Sequence, residues 1–170
     1  MKELLVFDNF FPHEKQLQIV DLLNRPKWSF SGGNNRLRFW HMDGLENEVF
    51  FNTDLFNIIC EKLQKKFKVG RIYANGQTAG QSGFPHFDDG DFTFLYYPNM
   101  NWEALNGGGL VFLESDGTTI YKSAEIIGII GYKPNRALLF PGKLAHYALE
   151  PERHYNDLRI SLAWKLFNIE

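Results

Sequence analysis

After Gly70 the sequence breaks into nine short runs of β-type residues with no helical pattern between them. The runs are Arg71–Ala74, Phe84–Asp88, Phe92–Tyr97, Gly109–Leu113, Thr118–Tyr121, Glu125–Ile130, Ala137–Phe140, Ala145–Leu149 and Leu158–Phe167. Gly, Pro, Asn and Asp punctuate them. A doubly wound α/β fold needs strands and helices in alternation, so this order excludes it. Ahead of the runs, Leu4 to Phe7 reads as a strand. Pro12 opens a helix with Leu17, Val20 and Leu23 on one face and Ile19 and Leu22 beside them, and Pro26 ends it. A second helix is expected from Asn52 or Thr53, carried by Leu55, Phe56, Ile59, Leu63 and Phe67. The pattern predicts an α+β, mainly β chain: a barrel or jelly roll buttressed by N-terminal helices. Residues 1–69 would form the helical support and 70–170 the jelly-roll core of one domain spanning 1–170.

The composition suits such a core. Of 170 residues 44% are hydrophobic, against 22% charged, and 16 are Phe. A net charge of -2 argues against a broad basic surface for nucleic acid. Lys62, Lys65, Lys66 and Lys68 then read as a solvated face complementing the second helix's dipole. Cys60 is the single cysteine, which rules out an intramolecular disulfide and a cysteine zinc site and fits a reducing, cytoplasmic compartment. Cys60 itself reads as core. No apolar run reaches the roughly 18 residues of a membrane span, and the N-terminal apolar block is too short for a signal peptide.

The residues that carry chemistry begin with His86-Phe87-Asp88. In a strand the imidazole and the carboxylate, two positions apart, project to one face. His146 lies in another expected strand. Two imidazoles and a carboxylate on one face of a metal, with open positions opposite, form the facial triad of non-haem Fe(II) oxygenases. In the run Leu158 to Trp164, Leu158, Ile160, Leu162 and Trp164 share an apolar face, and Arg159, Ser161 and Ala163 share the other. If the apolar face packs on the helices, Arg159 points inward, where it needs an anion that its fork can pair bidentately. Ser161 can donate to the same oxygens. The alternatives are an internal salt bridge or an inverted strand with Arg159 in solvent.

Other motifs are less productive. Gly107-Gly108-Gly109 precedes no helix with Lys and Ser/Thr, so it reads as a turn beside the site, not a phosphate loop. Asp88 to Asp91 lacks the spacing of an EF-hand; Asp89 and Asp91 would shape the turn and face substrate. His13, His41 and His154 have no partners at metal spacing. There is no Gly-x-Ser-x-Gly.

Seven stretches together resemble the prolyl-hydroxylase-type branch of the Fe(II)/2-oxoglutarate dioxygenases. They are Tyr73-Ala-Asn-Gly-Gln, His86-Phe-Asp88, Tyr96-Tyr97-Pro-Asn99-Met-Asn-Trp102, Gly107-Gly108-Gly109-Leu-Val-Phe112, Lys133-Pro-Asn-Arg136-Ala-Leu-Leu-Phe-Pro-Gly142, His146 and Arg159-Ile-Ser161. Their order and rough spacing follow the family over about ninety residues, and the chain looks closest to compact bacterial or phage members, which would place a phage-encoded protein in its host's cytoplasm. The resemblance implies a double-stranded β-helix in which His86, Asp88 and His146 hold Fe(II). By the same resemblance Arg159, Tyr97 and Ser161 fix the distal carboxylate of 2-oxoglutarate, and Tyr73 lies at its iron-proximal end. It implies use of O2, support by ascorbate, release of succinate and CO2, and hydroxylation of a prolyl residue in a protein or peptide. Trp28, Phe30, Phe39 and Trp40 line either a substrate groove or the core.

Two rivals stand beside that reading. Alkylation-repair dioxygenases, which demethylate nucleic acid, share a similar layout, and Arg153 and Arg159 stand six apart as that branch's paired arginines do. A cupin-like module that binds a sugar or small ligand without redox chemistry would have no need of Arg159 inside the barrel.

Overall fold

The computed structural model describes residues 4–34 and 37–169. Ten strands make two antiparallel sheets. In chain order the elements are β1 (Leu5–Phe7), helix α1 (His13–Leu23), β2 (Ser29–Asn34), β3 (Leu37–Met42), a π-helical turn (Phe50–Leu55) running into α2 (Phe56–Leu63), β4 (Phe67–Gln77), β5 (Phe92–Tyr96), β6 (Leu110–Leu113), β7 (Ile126–Ile130), β8 (Ala137–Pro141), β9 (His146–Ala148) and β10 (Arg159–Asn168). The larger sheet has the order β1-β8-β5-β10-β4-β3-β2, and the smaller β7-β6-β9. This is the helix-buttressed jelly roll that the strand pattern predicts.

Alternation along β10 divides the core in two. Leu162, Trp164 and Leu166 point toward the helices and pack with Phe10, Ile19, Phe51 and Ile59, all of them buried. Trp164 Nε1 also donates to Phe51 O at 3.1 Å, tying β10 to the π-turn. Ala163, on the other face, joins Tyr97, Phe112, Tyr132 and Phe140 between the sheets.

Four expectations are corrected. The first 69 residues are not helical support alone: β1 pairs with β8, and the β2–β3 hairpin extends the large sheet past β4. Its glycines and polar residues hid the hairpin from a search for β-branched runs. On α1 the buried residues are Ile19 and Leu23, while Leu17 is exposed. The second helix ends at Leu63, where Gln64 takes a left-handed conformation (φ 49°) and turns the chain, so Phe67 starts β4 and does not continue the helix. Thr118–Tyr121 forms no ladder, because Asp116 Oδ1 accepts from the amides of Thr118 and Thr119 and from the Thr118 hydroxyl. Such local side-chain bonds compete with strand pairing.

β7 is a free edge of the small sheet, and its Ile126, Ile127 and Ile129 are exposed. At the opposite margin, Asp8 joins the segment after β1 to the turn before β8. It accepts from Arg136 Nε and Lys133 Nζ, each at 2.7 Å. These bonds, Arg136 first, hold its carboxyl at about 2. A depressed carboxyl adds stability above its unfolded value, near 4, and loses it as pH falls through the folded value. The melting temperature of Asp8→Asn should therefore lie below that of the unmodified protein at neutral pH. Calorimetric scans should show the gap closing from about pH 4 down to about 2.

Candidate active site

The segment 83–88 runs beside β9 and brings two imidazoles together. His86 and His146 form an antiparallel bridge, each amide donating to the other's carbonyl at 3.1 Å, and their ring centroids lie 4.5 Å apart. The expected strand Phe84–Asp88 is only this single bridge, because the flanking bonds fall out of step: Gly83, not Phe84, donates to Ala148 O at 2.7 Å. The Asp88 amide instead donates to Gly142 O at 2.8 Å, which fixes the carboxylate beside the rings. One ligand-type atom each from His86, Asp88 and His146 lies within 4.8 Å of the other two.

The tautomers are set by the backbone. Nδ1 of His86 lies 2.8 Å from Phe84 O, and Nδ1 of His146 lies 2.8 Å from Leu144 O. A carbonyl only accepts, so Nδ1 carries the hydrogen and Nε2 of the neutral ring keeps a lone pair. Both Nε2 atoms face Asp88, at 3.4 Å from Oδ1 for His86 and 3.4 Å from Oδ2 for His146. Lone pairs aimed at a carboxylate repel one another unless a cation stands between them. The donor set of two imidazoles and one carboxylate, held from behind by backbone carbonyls, fits a divalent transition metal.

Two of the three groups, His146 and Asp88, are held in their ligating forms, whereas His86 favours its proton. Burial disfavours the charged form of His146, reinforced by His86, and lowers its pKa to about 4 against the pull of Asp88. Burial would raise the Asp88 carboxyl, but a hydrogen bond from His86 when that ring is protonated, and the charge of Lys165, hold it well below the usual carboxylate range. Burial also opposes the charge of His86, yet hydrogen bonds to Asp88 and Phe84 O outweigh it and raise its pKa.

β10 forms the inner wall. Arg159 is 0% exposed and points between the sheets. Its Nε donates to Gly108 O at 2.8 Å and its Nη1 to Gln77 Oε1 at 3.0 Å. The aromatic rings behind it form a stack: Tyr97 on Tyr132 and Trp102 on Tyr132, both with centroids 4.1 Å apart. The guanidinium carbon lies 5.5 Å from the Tyr97 ring and 5.4 Å from the Tyr132 ring. Gly108 sits in the left-handed region (φ +69°), and a Cβ there would stand 2.7 Å from the Trp102 ring and 3.2 Å from Arg159 Nε. The triple glycine thus lets the backbone reach the guanidinium. Among the described residues Arg159 Nη2 and Tyr97 Oη are buried without partners, as is Trp102 Nε1. A buried cation and a hydroxyl left unpaired cost free energy until an acceptor arrives, and a ligand carboxylate fits both.

Ser161 and Tyr73 line the same recess as Arg159 and the triad. Burial pushes the Tyr73 hydroxyl up, against the pull of nearby Lys165. That recess shares Tyr73, Asn75, His86, Asp88 and Ser161 with a wider cavity of about 690 Å³, whose outer lining includes Phe39, His41, Arg71, Phe84 and Asp89. At its rim Arg71 pairs with Asp89 at 3.2 Å. His41, without metal partners, lies 2.6 Å from Ser31 Oγ and 2.5 Å from Asp43 Oδ2. Of the four early aromatics, Phe39 lines this cavity, Phe30 leans tilted on Trp40 with centroids 5.1 Å apart and 47% of its surface exposed, and Trp28 packs on the core.

Sequence reasoning missed Lys165. It is 2% exposed, its ammonium contacts Asp88 Oδ2, and it donates to Thr93 Oγ1 at 3.0 Å. Thr93 in turn donates to Asp88 Oδ2 at 2.5 Å. The signal was present, since Lys165 has the same strand parity as Arg159, Ser161 and Ala163. Gln77 and Tyr132, which brace Arg159, had no such signal, because their partners come from distant strands. Arg153 is exposed on the turn before β10 and lines neither the recess nor the cavity, so it does not form the pair with Arg159 that its spacing suggested.

No protein-family model matches the sequence, and no curated protein matches it. Solved structures that it resembles include prolyl hydroxylases, a 2OG-Fe(II) oxygenase-family protein and an alpha ketoglutarate dependent epimerase. A prolyl hydroxylase from Trichoplax adhaerens, in complex with a hypoxia inducible factor peptide fragment, is 17% identical, with 98% of this chain and 84% of that one covered at a TM-score of 0.66. A Pseudomonas putida prolyl-4-hydroxylase is 15% identical over 96% of this chain and 92% of its own, at 0.64. HygX from Streptomyces hygroscopicus, with nickel, 2-oxoglutarate and hygromycin B bound, is 11% identical over 96% and 82%, at 0.65. At these identities the likeness is one of fold: the chain has the double-stranded β-helix shared by these enzymes.

Proposed function

We propose that the chain is an Fe(II)- and 2-oxoglutarate-dependent dioxygenase that hydroxylates an unactivated carbon, releasing succinate and CO2. The observation that carries this reading is one recess with two unsatisfied needs. At one side His86, Asp88 and His146 present a converging donor set. At the other Arg159 presents a buried, unpaired donor, with the unpaired Tyr97 hydroxyl in the aromatic stack behind it and outside the recess lining. A 2-oxo dicarboxylate answers both, because its keto-acid end chelates a metal and its far carboxylate pairs with a guanidinium. A cupin-like ligand module would leave buried Arg159 without a purpose.

Bound Fe(II) would supply the dioxygen chemistry, and the protein supplies position and dryness. His86, Asp88 and His146 would hold it. Arg159, Tyr97 and Ser161 would orient the cosubstrate's far carboxylate, and Tyr73 would lie near its metal end. The cavity of about 690 Å³, which reaches His86 and Asp88 from outside, would place a substrate carbon over the metal. For the substrate we infer a prolyl residue of a protein or peptide, supported by the two prolyl hydroxylases among the similar folds. A nucleic-acid substrate is disfavoured by the outward position of Arg153 and the net charge of -2.

The test is a succinate-release assay with Fe(II), ascorbate and 2-oxoglutarate against proline-containing peptides and methylated oligonucleotides. Succinate release should be stimulated by a proline-containing peptide, which gains the mass of one oxygen atom. Stimulation by oligonucleotides alone would replace the substrate reading. No 2-oxoglutarate turnover under any condition would overturn the reaction class.

A further inference from the structure

The charges lining the inner recess do not balance. Asp88 is the sole acid among its lining residues, against two cations, Lys165 and Arg159. The two stand six residues apart on the inward face of β10, so they approach the recess from opposite ends. Lys165 is 2% and Arg159 0% exposed; among the described residues Lys165 pairs with no carboxylate but Asp88, and Arg159 with none. Asp88 neutralises Lys165 as the protein stands. A divalent ion on Asp88 and the two imidazoles would claim that same carboxylate. It would also add positive charge beside a buried ammonium, whose other neighbours, the Thr93 hydroxyl and the Tyr73 ring, carry no charge. Buried like charges at this range are costly unless an anion joins them.

We propose that Lys165 is a second carboxylate-binding cation, which pairs with the metal-side carboxylate of the 2-oxo acid while Arg159 takes the far one. The recess is then charged for a dianion, with one fixed cation per carboxylate and the metal between them. This assignment rests on the dioxygenase reading and gives it a cosubstrate contact that the motif resemblance does not contain. Lys165 therefore serves two anions in turn: Asp88 in the metal-free protein and the cosubstrate in the loaded one. It also predicts how the two ends of the ligand separate. A 2-oxo monoacid such as pyruvate keeps the metal-side end and lacks the far carboxylate, so it should need Lys165 and ignore Arg159.

The experiment is calorimetric titration of Mn(II)-loaded protein with 2-oxoglutarate and with pyruvate, which reads binding without turnover. Lys165→Met should weaken both ligands at least tenfold, whereas Arg159→Met should weaken only 2-oxoglutarate. Mn(II) affinity without cosubstrate should not fall in Lys165→Met, because a repelling cation is removed. Lys165→Arg keeps the charge and should bind 2-oxoglutarate within a few-fold of the unmodified protein. Lys165→Gln, polar and neutral, should behave like the Met variant and serves if that variant does not fold. Unchanged 2-oxoglutarate affinity in either neutral variant would overturn the assignment. Failure of the unmodified, Mn(II)-loaded protein to bind 2-oxoglutarate at all would instead overturn the dioxygenase reading.

Discussion

Asp88→Ala will lower succinate release by more than about a hundredfold, since removing even a supporting partner of a metal ligand typically costs 10–100-fold. It will also destabilise the metal-free protein. Asp88 is 6% exposed and is the anion that Lys165 contacts. Removing one member of a buried pair leaves the other charge uncompensated, at a cost of about 3–5 kcal/mol. Many metal sites behave oppositely, because their clustered carboxylates repel when the ion is gone. Here the single carboxylate is already paired. Urea unfolding in the presence of chelator measures the effect, and the Asp88→Ala/Lys165→Met double variant should recover much of the loss. A metal-free Asp88→Ala protein as stable as the unmodified one would show that the pair is not held in solution.

Arg159→Met is the second large effect. The Michaelis constant for 2-oxoglutarate should rise by about 30-fold or more, the range expected when one partner of a buried, hydrogen-bonded charge pair is truncated. Mn(II) affinity should stay as it was, because Arg159 touches none of His86, Asp88 or His146. The guanidinium is held by Gly108 O and Gln77 Oε1 and backed by the Tyr97–Tyr132–Trp102 stack, so its free Nη2 has one direction in which to find an acceptor. Tyr97→Phe removes a single hydrogen bond to a charged group, worth about 1.5–3 kcal/mol, so its effect should be the smaller of the two. Steady-state kinetics at varied 2-oxoglutarate separates them. Equal Michaelis constants for Arg159→Met and the unmodified protein would remove Arg159 from the cosubstrate site.

Much of this architecture was legible before any coordinates. Period-two alternation in β10 announced which face would meet the helices, and Arg159, Ser161 and Trp164 lie as that alternation requires. The spacing of His86 and Asp88 also placed both on one side, although the segment pairs with β9 in register only at the His86–His146 bridge. What the sequence withheld depends on neighbours far along the chain. The β2–β3 hairpin has no β-branched residue and carries glycines and polar residues among its aromatics, and it is held by pairing with β4. Tyr132 reads as an ordinary aromatic until Tyr97 and Trp102 are folded against it. Lys165 was overlooked for another reason: a lysine near the end of a strand is usually solvated, and only the alternation of β10 shows that its solvent would be the interior.

The open edge at β7 has a bearing on colloidal behaviour. Five residues, four of them isoleucine, end the small sheet with backbone groups that no strand of the same molecule pairs among the described residues. Ile-Ile-Gly-Ile-Ile reads the same in both directions, so two molecules meeting edge to edge and antiparallel would set isoleucine against isoleucine at four of the five rungs and glycine against glycine at the middle one. No charged side chain interrupts that run, and a net charge of -2 gives the molecules little mutual repulsion. Concentrated solutions will thus sit nearer to self-association than the well-buried core alone would suggest, with salt tipping the balance further.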